Sequence, residues 1–404
     1  MRVLIHSPGG APLYDPALRQ PVGGMETRAA TFARRLAEQP GIDVTVVVES
    51  DEAGRRWDGG EYPLDGIRVI NRPNRRTQLA TRLGREIKLT GRPPFVRWSA
   101  FRPRHVGPVL RLALGRLSGP RPAASDSDPF FAALHPDWAL AFGVNRQSAG
   151  LIHSVPRTAL MIASDHDLDS RIARDRTFVT RQGEPAAEVR NAICDAAIVF
   201  VQSTSQQVAL KEHFARDGVL LPNPVELSKV DAEPDFDVLW IGRADRFHKR
   251  PLLAVEAAAA TPELTWRLVL APGDADVAQE VVRAAPANVT VLPPRPFAEM
   301  PALFAACRVF VSTSDAAYEG VPNVVLQAAA AGRPSVTTGA AVEFLQQTGR
   351  TPTTPAELPD AIRKTLRSYE TLGRRARDTA GSHYESAAIA AKLVRHLRDA
   401  YAPA

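Results

Sequence analysis

The sequence predicts an α/β fold in two parallel-sheet domains, and three observations predict it. A run of apolar strand, Gly-bearing loop, amphipathic helix and second strand opens the chain, and the same grammar begins again near residue 236. Between the two runs lies Leu220-Leu221-Pro222-Asn223-Pro224-Val225, whose prolines interrupt any regular element. The chain has 404 residues, 45% apolar and 23% charged, enough for two domains of ordinary size.

In chain order, Arg2-Val3-Leu4-Ile5-His6 reads as the first strand. It is too short, and too soon followed by Pro8-Gly9-Gly10, to be a signal peptide. Residues Met25 to Leu36 follow a helical period, with Met25, Ala29, Phe32 and Leu36 on one stripe. Gly23-Gly24 just before this helix lets backbone approach a diphosphate closely. Val44 to Val48 is the next strand, 53–66 reads as loop, and Ile67 to Ile70 is a short strand.

A basic excursion follows. Between Val69 and Ala124 thirteen Arg and Lys face Glu86 alone, a net +12, which leaves −6 for the remainder of a chain whose total is +6. The segment carries several prolines and suggests helices near 78–90 and 106–117. Trp98 and Phe101 among Arg97, Arg102 and Arg104 suit an anionic membrane surface or an anionic acceptor. The alternative is a solvated, Arg-rich insertion. No nucleic-acid module is present, so nucleic acid is not an expected partner.

Trp138 to Phe142 and Ala159 to Ala163 read as strands. The second ends in Ser164-Asp165-His166-Asp167-Leu168-Asp169, a polar cluster past a strand's carboxyl end, where open α/β sheets bind ligands. His166 is the candidate for proton work, and His166 or Asp165 for orienting an acceptor; a loop or cap role is the alternative. Asp165, Asp167 and Asp169 lack the later Gly and Glu of a calcium loop, so no metal is expected there. A helix over 188–194, a strand over 196–201 and a helix to about Phe214 complete this half.

The second half restarts with a strand over 236–241 ending in Gly242-Arg243, after which Lys249 opens a helix. Strands follow at Trp266–Leu270, Val289–Leu292, Val309–Val311 and Ser335–Thr337. Within 314–334, Pro322 suits a helix start, and Gly332 with Pro334 ends the helix. That N-terminus offers free N–H groups and about half an elementary charge, which suit a phosphate or a sugar oxygen. Glu319 sits just before it, and Asn323 and Gln327, four apart, share one helix face. Helices at 355–369 and 371–381 and an amphipathic tail, 387–401, close the chain.

Taken together, Glu319-Gly320-Val321-Pro322-Asn323 with Val324 and Gln327, Gly242-Arg243 with Lys249, and Gly23-Gly24-Met25-Glu26 resemble the family-4 retaining glycosyltransferases of GT-B fold. The resemblance covers the second half well, and the first at its start and over 196–225. It implies two Rossmann-like domains facing across a cleft: 1–224 for the acceptor, with 69–124 as an insertion, and 225–385 for the donor. The helix in 386–404 would return to the first domain. The implied donor is a nucleotide-diphosphate sugar, used without cofactor or metal. Glu319 would meet the sugar, Arg243 and Lys249 the diphosphate and Gly273 the base, with Gly242 and Gly320 also binding the donor. The amides of Asn323 and Val324 would help hold the diphosphate. The family's second Glu is Gln327 here, a weaker ribose partner than a carboxylate. Some relatives carry a functional His after the strand at 138–142; this chain has Phe142-Gly143-Val144-Asn145 there.

The implied activity is retaining sugar transfer to an acceptor hydroxyl on a glycan, a lipid-linked glycan or a small molecule. Two alternatives stand beside it: a sugar-nucleotide epimerase on the same architecture, and a non-catalytic nucleotide-sugar-binding protein. No run approaches 18 apolar residues. Cys194 and Cys307 lie in apolar contexts and read as thiols of a reducing cytoplasm. The expected location is cytoplasmic, with peripheral attachment to the inner membrane face through 69–124.

Overall fold

The computed structural model describes residues 1–64, 66–72, 83, 102–110, 127–180, 183–230, 232–315, 319, 322–339 and 342–400. Strands that read as unbroken aliphatic runs need cover on both faces, and parallel sheets with helices on either side supply it. Among the described residues the first sheet comprises β1 (Arg2–His6), β2 (Asp43–Val48), β3 (Glu61–Leu64), β4 (Ile67–Asn71), β5 (Trp138–Phe142), β6 (Thr158–Met161), β7 (Ile198–Val201) and β8 (Val219–Leu220). Their order is β3-β4-β2-β1-β5-β6-β7-β8, parallel except where β3 meets β4. The second comprises β9 (Phe236–Arg243), β10 (Trp266–Ala271), β11 (Val289–Leu292), β12 (Cys307–Ser312), β13 (Ser335–Thr337) and β14 (Gly349–Arg350). It is parallel throughout, in the order β11-β10-β9-β12-β13-β14.

Three sequence expectations need correction. Residues 53–66, read as loop, contain β3. The hairpin forms because Ser50 caps a short helix, Asp51–Arg56, and Trp57 donates its Nε1 to Asp15 at 3.0 Å, which swings the chain back beside β4. The sequence hid this strand because it sits at the sheet edge, where Glu61 and a proline are tolerated. Lys249 does not open a helix: the helix is Pro251–Ala259, and Lys249 belongs to the loop before it. Pro322 is the cap residue, not the first residue, of the helix Asn323–Ala330. The segment 69–124 lies mostly outside the described residues. Within it, 69–71 finish β4, Leu83 is buried and 103–110 are helical. The helix expected over 78–90, and Trp98 and Phe101, lie outside the description.

The chain passes between the two sheets twice, and the passages touch. Val225 N–H donates to Tyr384 C=O at 2.7 Å, and Ser386 N–H donates to Val225 C=O at 2.9 Å. Beyond them the helix Ser386–Asp399 lies against the helix Gly24–Ala37 of the first sheet. Ile389, Leu393, Val394 and Leu397 enter the same core as Phe32 and Leu36. Fully burying one such side chain is worth about 1.5–3 kcal/mol, so this returning helix is a main clamp between the halves. Arg35 adds a hydrogen bond from Nε to Ser386 Oγ at 2.8 Å.

Leu393 is fully buried, so Leu393→Ala removes packing that solvent cannot replace. We expect it to lower unfolding free energy by about 2–5 kcal/mol in a urea titration.

Candidate functional site

The strand order of the second sheet places β9 beside β12, so the loops leaving their carboxyl ends are neighbours. Arg243 is the last residue of β9, and Thr313-Ser314 directly follow β12. Thr313 ties the two loops together. Its hydroxyl donates to Lys249 C=O at 2.7 Å and accepts from Trp240 Nε1 at 2.8 Å. Arg250 has left-handed backbone, φ 47°, a conformation that costs a non-glycine residue on the order of 1–3 kcal/mol. Three contacts hold it there: Nε donates to Thr313 C=O at 2.8 Å, one terminal nitrogen donates to Thr338 Oγ1 at 2.7 Å, and the other lies 3.4 Å from Asp315. That turn ends the loop carrying Lys249 immediately before the Pro251 helix.

Lys249 Nζ makes a short ion pair with Glu319 Oε1 and reaches Ser314 Oγ at 3.3 Å. His248 Nε2 lies 3.1 Å from the same carboxylate oxygen. Glu319 is 19% exposed, so its charge is largely out of water. Burial works to raise its pKa, but Lys249 and His248 outweigh burial and hold the carboxyl well below the usual carboxylate range. Glu319 Oε2 is buried and has no hydrogen-bond partner among the described residues. It is an open acceptor position, suited to a hydroxyl.

Because the folded pKa of Glu319 is depressed, its ion pairs stabilise the fold above the ordinary value of 4.5, and that contribution is lost as pH falls below it. The stability of the wild-type protein relative to Glu319→Gln should be flat at neutral pH. Below about pH 4.5 it should fall by up to about 1.4 kcal/mol per pH unit. Parallel urea titrations of the two proteins measure this; a difference that does not change with pH refutes the ion-pair assignment.

The two helix N-termini expected to face the ligand meet across the gap between the sheets. Gly23 caps the first helix and Asn323 begins the second, and Asn323 Nδ2 donates to Gly24 C=O at 2.8 Å. Beside this contact lies a cavity of about 390 Å³. Thr27, Arg28 and Thr31 line it from the first sheet's side, and Phe297, Met300 and Gln327 from the second's. Asn323 and Gln327 do present one face, and that face opens on the cavity. Arg28 is itself buried, donating to Ile162 C=O at 2.7 Å. Burial lowers its pKa to about 9, against the nearby Asp167 carboxylate.

Gly242 lies within β9 under the ring of Trp240. Gly273 follows β10 in close approach to the neighbouring loop: a Cβ there would sit 2.3 Å from Ala244 C=O, so only glycine fits. Gly273 lines a separate opening with Arg243, Arg246 and Asp274. Val324 follows Asn323 in the helix. Gly320 lies outside the described residues. Asp165 and His166 fall in a 3-10 turn after β6 and are not among the residues lining the interdomain cavity. Asp165 accepts instead from Gln206 Nε2 at 2.8 Å.

The three carboxylates of that stretch serve separate partners. Asp165 meets Gln206, Asp167 meets the Ala163 and Ser164 amides, and Asp169 meets Arg171. Among the described residues no group of three or more His, Cys, Asp or Glu is placed to hold a metal ion, and no helix is long and apolar enough to cross a membrane. Sequence reasoning did not single out His248, Thr313, Phe297 or Met300. The polar run Ser312-Thr313-Ser314 at a strand's carboxyl end was the available signal for Thr313.

Residues 235–368 match the family model described as glycosyl transferases group 1. Solved structures share the fold over essentially the whole chain. Sucrose-phosphate synthase from Thermosynechococcus elongatus superposes with a TM-score of 0.68 at 17% identity, over 99% of this chain and 98% of that one. The α,α-trehalose-phosphate synthase (UDP-forming) from Burkholderia vietnamiensis gives 0.59 at 12% identity, over 98% and 96%. AviGT4, a glycosyltransferase involved in avilamycin A biosynthesis, gives 0.58 at 17% identity, over 100% and 99%. Among curated protein sequences none matches significantly.

Proposed function

We propose that this chain, a GT-B protein whose second half carries a group 1 glycosyl transferase domain, moves a sugar from a nucleotide-diphosphate sugar to an acceptor hydroxyl with retention of configuration. One observation carries the reading: a buried carboxylate neutralised by Lys249 sits in the loop just before the Asn323 helix, whose first residue contacts the Gly23-Gly24 terminus across the interdomain gap. A sugar needs an oxygen acceptor, a leaving diphosphate needs positive charge, and both are supplied on one side of one helix.

In this mechanism the nucleotide sugar lies mainly on the second sheet's side, with Gln327 toward the ribose. As the sugar C–O bond to phosphate loosens, Arg243, Lys249 and the backbone amides of Gly23, Gly24, Asn323 and Val324 meet the charge gathering on the diphosphate. The acceptor hydroxyl attacks from the face the diphosphate leaves, and its proton passes to a phosphate oxygen. Glu319 Oε2 holds a sugar hydroxyl throughout. In this reading Arg243 and Lys249 take the charge-neutralising role that a metal ion would otherwise fill. Asp165 and His166, on the first sheet's side, would orient the acceptor, whether glycan, lipid-linked or small molecule.

Arg243→Ala and Lys249→Ala should each lower turnover on the order of 10²-fold or more while keeping a cooperative melting transition. Near wild-type turnover in both refutes the mechanism. A nucleoside diphosphate at 100 times its dissociation constant should add about 2.7 kcal/mol of stability, read as a raised melting temperature without added metal. UDP heads the panel because one fold neighbour is UDP-forming. Gln327 is the observation favouring a non-catalytic binding protein. That protein would show the thermal shift but release no nucleotide with any acceptor. An epimerase would convert the donor with no acceptor present.

A further inference from the structure

The loop between β9 and the Pro251 helix carries five charged or titratable side chains in seven residues, Arg243 apart, and the structure sends them different ways. Arg246 turns outward to Glu280. Arg250 turns inward to Thr313 and Thr338. Asp245 folds back on its own loop, accepting from the amides of Phe247 at 2.9 Å and His248 at 2.7 Å. Lys249 and His248 turn to Glu319. His248 is pinned through its backbone on both sides, since its carbonyl also accepts from the Asp315 amide at 3.0 Å. Its ring is 22% exposed.

That ring lies between two groups of known hydrogen-bonding character. Nδ1 is 3.5 Å from a terminal nitrogen of Arg243, and Nε2 is 3.1 Å from Glu319 Oε1. A guanidinium only donates, so this contact, long at 3.5 Å, favours the tautomer in which Nδ1 accepts. In that tautomer Nε2 carries the proton on the side of Glu319 Oε1. The other charges around the ring agree with this arrangement: Asp245 lies 3.9 Å from Arg243, and Lys249 shares the Glu319 oxygen.

We infer that His248 is a positioning residue of this site, holding Glu319 through Nε2 while Arg243 fixes its tautomer from Nδ1. The inference rests on the glycosyl-transfer reading above and adds a role to it. Lys249 is assigned two tasks, neutralising Glu319 and meeting a diphosphate. When the diphosphate draws the ammonium toward itself, a carboxylate held by Lys249 alone would be left buried without a partner and able to swing. His248 grips the same oxygen, Oε1, so that Oε2 keeps its aim at the sugar. It also joins the cation at the end of β9 to the carboxylate beyond β12 in one chain of contacts.

Two measurements test this on the full chain. In a nitrogen-15 histidine spectrum, the His248 signal, assigned by its loss in His248→Gln, should show a neutral ring protonated at Nε2. A ring protonated at Nδ1, or at both nitrogens, at neutral pH overturns the inference. In steady-state assays His248→Leu should lower kcat about 10- to 100-fold, with KM for the donor changed far less. His248→Gln, whose amide N–H reaches the place of Nε2, should recover most of that loss. Equal impairment in both variants, or none in either, overturns the positioning role. A wild-type protein that shows the expected ring but transfers no sugar to any acceptor overturns the glycosyl-transfer reading, and this role with it.

Discussion

A carboxylate withdrawn from water must be met by positive charge or give up its own, and the candidate site is built around that constraint at Glu319. Lys249 supplies the charge, but only because the loop that carries it is fastened to the loop after β12. The fastening is the Thr313 hydroxyl below and the Arg250 side chain beside it. Arg250 accepts an unfavourable backbone conformation to end that loop at the right place. Behind these contacts stands the strand order, since only the adjacency of β9 and β12 brings the two loops within reach.

The second sheet was largely legible in the sequence because its strands are aliphatic runs and its helices carry clear stops. Gly332, with φ 72°, ends the Asn323 helix as its position suggested. The returning C-terminal helix was legible for the same reason: its apolar stripe needed a surface, and the Gly24 helix is that surface. What stayed hidden were features whose cause lies elsewhere in the chain. The β3 hairpin depends on Trp57 finding Asp15, forty-two positions away. The part played by His248 depends on Glu319, which lies seventy-one residues further on and on another loop. No local period reports such pairings.

The interdomain cavity shows the same division. Asn323 and Gln327 could be placed on one face from their spacing alone. That Phe297 and Met300 join them on the second sheet's side follows from how the helix Met300–Ala305 packs on the Asn323 helix. The amide at 327 needs no counter-charge in that enclosure, whose cationic lining residues are Arg28, Arg34 and Lys229. Arg28 on the far wall is already committed to backbone carbonyls.

The paired passage of the chain between the halves has a mechanical consequence. One crossing strand would act as a swivel, free to turn in any direction. Two strands side by side, bonded at Val225, Tyr384 and Ser386, act as a strap hinge. Such a hinge bends easily about one line and resists torsion, because twisting shears both backbone hydrogen bonds at once. A bend about that line would part the Asn323 amide from Gly24, and the hinge would return the two in the same register. Because the two leaves of the hinge are 159 residues apart in sequence, severing either one leaves the halves still joined.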